Sequence, residues 1–206
     1  SDLGLLHLHL GDGERGLALV RRALEETELP PRTFHPTHCN RNMRLWREAM
    51  AIGGRGVPVD VTAFEDEETA ADGIAEWVRA GLPAERLTLS SDAGGCMPDF
   101  DAEGVLKGMG VGTPRTLLQA VSGAVARGVD PGLALATCTS NVASLFRLRG
   151  KGRVGEGADG DVLVVDERWS VVHLLAGGCW MVRDREVLRR GLFEEGVGLA
   201  AAGVGG

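Results

Sequence analysis

Apolar runs alternate with segments of helical spacing along most of this chain. Leu3 to Leu10 is a short apolar run that leaves into Gly11, Asp12 and Gly13, the pattern of a buried strand entering a loop. From Arg15 to Thr27, the positions Leu17, Leu19, Val20, Ala23 and Leu24 recur at helical spacing, and Pro30 with Pro31 stops the helix. The unit then repeats. Thr33 to His38 predicts a strand and Met43 to Ile52 a helix halted at Gly53 and Gly54; Val57 to Thr62 predicts the next strand and Thr69 to Ala80 a helix closed by Gly81. Leu87 to Ser91 supplies a fourth strand. Strands alternating with helices predict a parallel sheet or barrel. A glycine-containing loop is expected from Asp92 to about Gly112, then helices over Arg115 to Ala126 and Pro131 to Arg147 that cover the last strand. From Gly152 the texture changes to short β-type runs separated by glycine and aspartate turns. The expected division is therefore a partial (β/α) barrel over 1–150, a small β-sandwich segment over 151–195 and a flexible tail over 196–206.

Three of the strands end in a residue able to bind a metal. Leu5 to Leu8 runs into His9, Phe34 to Thr37 into His38, and Leu87 to Ser91 into Asp92. In a barrel of parallel strands, side chains at the C-terminal strand ends converge on one pocket, so ligands distant in sequence can meet. Two imidazoles and a carboxylate suit a hydrolytic metal such as zinc. Taken singly, each histidine also reads as a hydrogen-bonded structural residue, and Asp92 as a turn residue in Ser-Ser-Asp-Ala-Gly-Gly. Arg41, just past the second strand, places a guanidinium fork where it can grip a substrate carboxylate, or serves as a surface arginine at a helix start. His7 and His35 read as packing residues, and Asp60 with Thr62 face the same rim.

Composition narrows the partners. The chain has 206 residues, 44% of them hydrophobic, enough for a substantial core. A formal charge of -7 disfavours nucleic acid and anionic membranes, which call for a basic surface. No apolar run approaches the roughly 20 residues of a membrane-spanning helix, and the first residues lack the pattern of a secretory signal. The four cysteines are scattered without a Cys-x-x-Cys pair. A reducing, cytoplasmic setting is expected.

The segments Pro36-Thr37-His38-Cys39-Asn40-Arg41-Asn42, His9-Leu10-Gly11-Asp12 and Leu89-Ser90-Ser91-Asp92 resemble the isoaspartyl (β-aspartyl) dipeptidase branch of the amidohydrolase superfamily. So does Gly150-Lys151-Gly152-Arg153-Val154, leading into Ala158-Asp159-Gly160-Asp161-Val162-Leu163-Val164. Thr-His-x-Asn-Arg-Asn is the narrowest of these motifs, whereas the Gly-x-Asp-x-Asp turn before an apolar run is common to many amidohydrolases. The resemblance implies a distorted (β/α)₈ TIM-like barrel that holds two divalent metals, usually zinc, bridged by a carboxylated lysine. It further implies that His9 and His38 ligate one metal, that Asp92 ligates the other and shuttles the proton, and that Arg41 holds a substrate carboxylate. Cys96 stands where the family tends to place a substrate-side serine. The family's first-strand His-x-His pair and bridging lysine lie upstream of anything in this sequence, so the resemblance is to the C-terminal half, about four strand-helix units, with one partial metal site.

The expected activity is metal-dependent hydrolysis of the β-aspartyl bond of a dipeptide, incomplete in this chain alone. Two alternatives stay open: a cyclic-amide or N-acyl amino-acid amidohydrolase, and a non-catalytic half-barrel that acts as an interaction module. Four strand-helix units cannot close an eight-stranded barrel, so a homo-oligomer or association with an N-terminal half is also expected.

Overall fold

The computed structural model describes residues 4–64, 67–101 and 103–190. The chain divides into two units, Ser1–Gly152 and Arg153–Gly206. The tail expected over 196–206 lies outside the described residues.

The first unit is mixed α/β. Strands β1 (Leu6–His9), β2 (Phe34–Thr37), β3 (Val59–Thr62) and β4 (Leu87–Ser90) alternate with helices α1 (Ala18–Glu26), α2 (Met43–Gly54) and α3 (Glu67–Arg79). β1 pairs with β2 and β3 with β4, both in parallel. The central strands β2, β3 and β4 are apolar except where they carry Thr, Ser, His or Asp, and nearly every residue in them is buried. Side chains of Ile52, Ile74, Val59, Val61, Leu87 and Leu89 form the core together with Trp46 and Trp77, whose rings lie 6.3 Å apart. Each such aliphatic side chain contributes about 1.5–3 kcal/mol when fully buried. Asn42 starts α2 by accepting a hydrogen bond from the Leu45 N–H at 3.0 Å, which satisfies one of the free donors of the first turn.

β1 departs from the buried strand expected for it. Leu6 is 49% exposed, and His7 and His9 also face solvent, because among the described residues β1 pairs on one side only.

A second departure follows Asp92. The expected loop contains an antiparallel hairpin, β5 (Cys96–Phe100) and β6 (Leu106–Val111). The long helix expected from Pro131 to Arg147 is broken into α5 (Pro131–Cys138) and α6 (Ser140–Leu145), after the helix α4 (Arg115–Ala126). The break lies at Thr139, at φ -127° and ψ -92°, whose hydroxyl donates to the Leu135 carbonyl at 2.7 Å. A threonine that bonds back into its own helix competes with the backbone ladder and bends it. α5 and α6 still pack on β4, and Asn141 of α6 donates to the carbonyls of Ala84 and Leu87 at 2.8 Å each.

The second unit holds one antiparallel sheet in the order β10-β9-β8-β7, built from β7 (Val162–Val165), β8 (Val171–Ala176), β9 (Cys179–Arg183) and β10 (Glu186–Val187). No helix among the described residues is long and apolar enough to cross a membrane.

Candidate functional site

The parallel register decides which side chains meet. It sets His7 against His35 and His9 against Thr37 across β1 and β2, and Asp60 against Thr88 and Thr62 against Ser90 across β3 and β4. Just beyond β2, His38 swings back toward β1, so that His9 Nδ1 and His38 Nε2 face each other at 3.0 Å. The other nitrogen of His38, Nδ1, meets Thr62 Oγ1 at 2.9 Å. His7 and His35 form a second pair through their Nδ1 atoms, 2.9 Å apart, and His35 Nε2 reaches Thr88 Oγ1 at 2.9 Å.

Two of the expected site residues hold unusual backbone. His38 has φ 62° and Asp92 has φ 50°, both left-handed. That region costs a side-chain-bearing residue free energy, and such outliers cluster at functional sites. Asp92 is seated tightly: a Cβ added at Gly112 would lie 2.5 Å from its carbonyl oxygen, and one at Gly95 would lie 2.8 Å from the same atom. Only glycine fits these two places without a shift of the backbone.

Charge follows the packing. Burial lowers the His38 pKa most; the Asp92 carboxylate opposes this, while Arg41, His9 and His7 reinforce it. Burial, helped by the charge of His7, pushes His35 down to about 3. Asp60 is 2% exposed, and its burial raises its pKa to about 6 against the pull of the hydroxyls of Ser90, Thr88, Thr37 and Thr62.

Arg41 lies beside this rim. Its guanidinium is 3.6 Å from Asp12 Oδ2 and 5.6 Å above the centre of the Phe64 ring, and that ring in turn is 5.9 Å from the His38 ring. Cys96 opens the hairpin strand β5, and its side chain lies outside the described residues.

The structure therefore brings His9 and His38 together and sets Asp92 near enough to act on the charge of His38. Among the described residues, no group of three or more His, Cys, Asp or Glu side chains converges closely enough to hold an ion. The imidazole pair nonetheless fits a divalent metal. Two nitrogens at zinc bond lengths of about 2.0–2.1 Å in a tetrahedral shell stand about 3.3 Å apart. A separation of 3.0 Å needs only a few tenths of an ångström of opening.

Two participants were only partly visible from sequence. The strand pattern puts Asp60 on the rim without revealing that it accepts from three hydroxyls: Thr37 at 2.7 Å, Thr88 at 2.6 Å and Ser90 at 2.6 Å. The second is Asn40, whose amide nitrogen donates to the Thr62 carbonyl and whose amide oxygen accepts from the Thr62 N–H, each at 2.8 Å. The available signal was the placing of polar residues on otherwise apolar strands, since buried polar groups need partners.

No family model matches the chain. Among solved structures, it is similar to a beta-aspartyl dipeptidase from the thermophilic keratin-degrading Fervidobacterium islandicum AW-1, in complex with a beta-Asp-Leu dipeptide. The identity is 31% and the TM-score 0.81, over 93% of this chain and 51% of that one. The likeness supports the amidohydrolase superfamily. Another structure of beta-aspartyl dipeptidase from Fervidobacterium islandicum AW-1 is 27% identical with a TM-score of 0.77, over 92% of this chain and 48% of that one. An amidohydrolase from Thermotoga maritima MSB8, 17% identical with a TM-score of 0.54 over 87% of this chain and 43% of its own length, shares the fold. The chain thus spans about half the length of the dipeptidases it matches.

Proposed function

We propose that this chain is the C-terminal part of a metal-dependent hydrolase that cleaves the β-aspartyl peptide bond of dipeptides. On this reading β1 to β4 are the last strands of a (β/α)₈ barrel, His9 and His38 hold one divalent metal, zinc by preference, and Asp92 contributes to a second. The observation that carries the reading is the His9–His38 pair, 3.0 Å apart at adjacent parallel strand ends. It is supported by the 31% identity to a dipeptidase solved with beta-Asp-Leu.

A divalent metal held there supplies a water that is acidic near neutral pH and a Lewis acid for the scissile carbonyl. The chain's own residues do the rest. Asp92 accepts the proton of the attacking water and delivers it to the leaving amine, base and acid in turn at one group. Arg41 grips a carboxylate of the dipeptide; Asp12 and Phe64 steady its guanidinium from one side and from below. By its place at the end of Ser90-Ser91-Asp92-Ala93-Gly94-Gly95-Cys96, Cys96 is assigned to the substrate side.

The test is hydrolysis of β-Asp-Leu against α-Asp-Leu by the purified protein, with zinc added and after chelation. Preferential, zinc-dependent cleavage of the β-linked peptide, lost in His9→Ala and His38→Ala, is the expected result. Cleavage of cyclic amides or N-acyl amino acids in its place would move the substrate within the superfamily. No hydrolysis of any of them, with no zinc bound, would leave an interaction module.

A further inference from the structure

Both imidazole pairs end on the same carboxylate. From His38 the path runs through Thr62 Oγ1, Ser90 Oγ at 3.1 Å and Asp60 Oδ2; from His35 it runs through Thr88 Oγ1 to Asp60 Oδ1. A carboxylate can only accept hydrogen bonds, and a hydroxyl has a single proton to give. These two facts orient every link. Ser90 gives its proton to Asp60 and has none left for Thr62. Thr62, whose own proton goes to Ser90 or to Asp60 itself, must accept from His38 Nδ1. Thr88 likewise gives its proton to Asp60 and must accept from His35 Nε2.

We propose that Asp60 is a positioning residue that dictates the tautomers of both histidine pairs: it keeps His38 as the Nδ1–H form with the Nε2 lone pair turned toward His9, and His35 as the Nε2–H form. The inference deepens the reading of His38 as a ligand, because a neutral imidazole binds a metal only through its unprotonated nitrogen, and the partner of the other nitrogen selects which one that is. His35, held neutral by its burial, is then left with a bare Nδ1 that accepts from His7 Nδ1–H. One buried carboxylate thus presets two rings that it does not touch.

The experiment is long-range ¹H–¹⁵N spectroscopy of the imidazoles in the uniformly labelled full chain at pH 8, without metal. In the unsubstituted protein His38 is expected as the Nδ1–H tautomer alone and His35 as Nε2–H alone. Asp60→Asn, whose amide can donate as well as accept, is expected to release both. The near-isosteric Thr62→Val is expected to release His38 and leave His35 unchanged, Thr88→Val to do the reverse, and Thr62→Ser to restore His38. His38 found as Nε2–H in the unsubstituted protein, or unmoved by Thr62→Val, overturns the proposal even if Asp60→Asn fails to fold. Zinc titration separates this from the catalytic reading. Thr62→Val should weaken binding about 10–100-fold, the usual effect of removing the partner of a ligating histidine, and Thr62→Ser should recover it. Locked tautomers in a chain that binds no zinc would sink the ligand role and leave the positioning role standing.

Discussion

Asn40 holds Thr62 by both of its backbone polar groups, donating to the carbonyl and accepting from the N–H at 2.8 Å. Between β2 and β3 a side-chain amide thus stands where a strand ladder would run, beside a single backbone bond from the Cys39 N–H to the Asp60 carbonyl at 3.2 Å. Asn40→Ala orphans a buried donor and a buried acceptor. At about 1–3 kcal/mol for each orphaned group, the loss should be about 2–6 kcal/mol in urea unfolding. A loss below about 1 kcal/mol would mean that water replaces the amide.

Acid stability should carry two opposed signatures. His35 has its pKa pushed from 6.5 to about 3, so the stability gained by burying it neutral is full above pH 6.5 and is lost as pH falls from there toward 3. Asp60 is raised from 3.8 to about 6, so its ionisation costs stability as pH rises through that interval. Between pH 4 and 6 the two slopes nearly cancel. In Asp60→Asn the His35 slope remains, about 1.4 kcal/mol per pH unit. Urea unfolding at pH 4, 5 and 6 measures it, and a variant as flat as the unsubstituted protein contradicts the assignment.

Gly112→Ala should injure activity more than folding. The added Cβ meets the Asp92 carbonyl at 2.5 Å, so the backbone that aims Asp92 has to move. On the proposed reading, kcat for β-Asp-Leu falls at least about tenfold, since misplacing a reacting group by an ångström can cost about 100-fold, while the thermal midpoint changes little. Equal losses in both would point to a structural role alone.

On the proposed reading, Arg41→Ala should raise KM for the dipeptide about 10–100-fold with little change in kcat, the size expected for one charge-assisted pair of about 1.5–3 kcal/mol. Arg41→Lys should not restore binding, because an ammonium lacks the planar fork. Asp12→Asn should barely alter stability, since its pair with Arg41 is largely exposed and such pairs contribute about 0–1 kcal/mol. Steady-state kinetics on the two Arg41 variants and urea unfolding of Asp12→Asn check this.

The strand-helix units were legible because each apolar run is closed by glycine, proline or a polar turn, and strand ends fall where those signals lie. The hairpin β5–β6 was not, because Pro98, Gly108 and Gly110 erase the alternation by which a strand is recognised. The break at Thr139 was hidden by a run of Ala, Leu and Thr that keeps helical spacing while a hydroxyl works against it. At the site, His9 and His38 could be paired from their equivalent strand ends. The part of Asp60 could not, because its partners lie 23 to 30 residues away and only the arrangement of three strands assembles them.

The left-handed backbone at His38 and Asp92 has a consequence for what those positions can become. Among residues that carry side chains, histidine, aspartate and asparagine tolerate this conformation best, and two of the three are also good metal donors. Conformation and coordination therefore filter the same short alphabet. Asparagine is the replacement that the main chain accepts most readily at either place, and it would silence the chemistry while the architecture stayed intact.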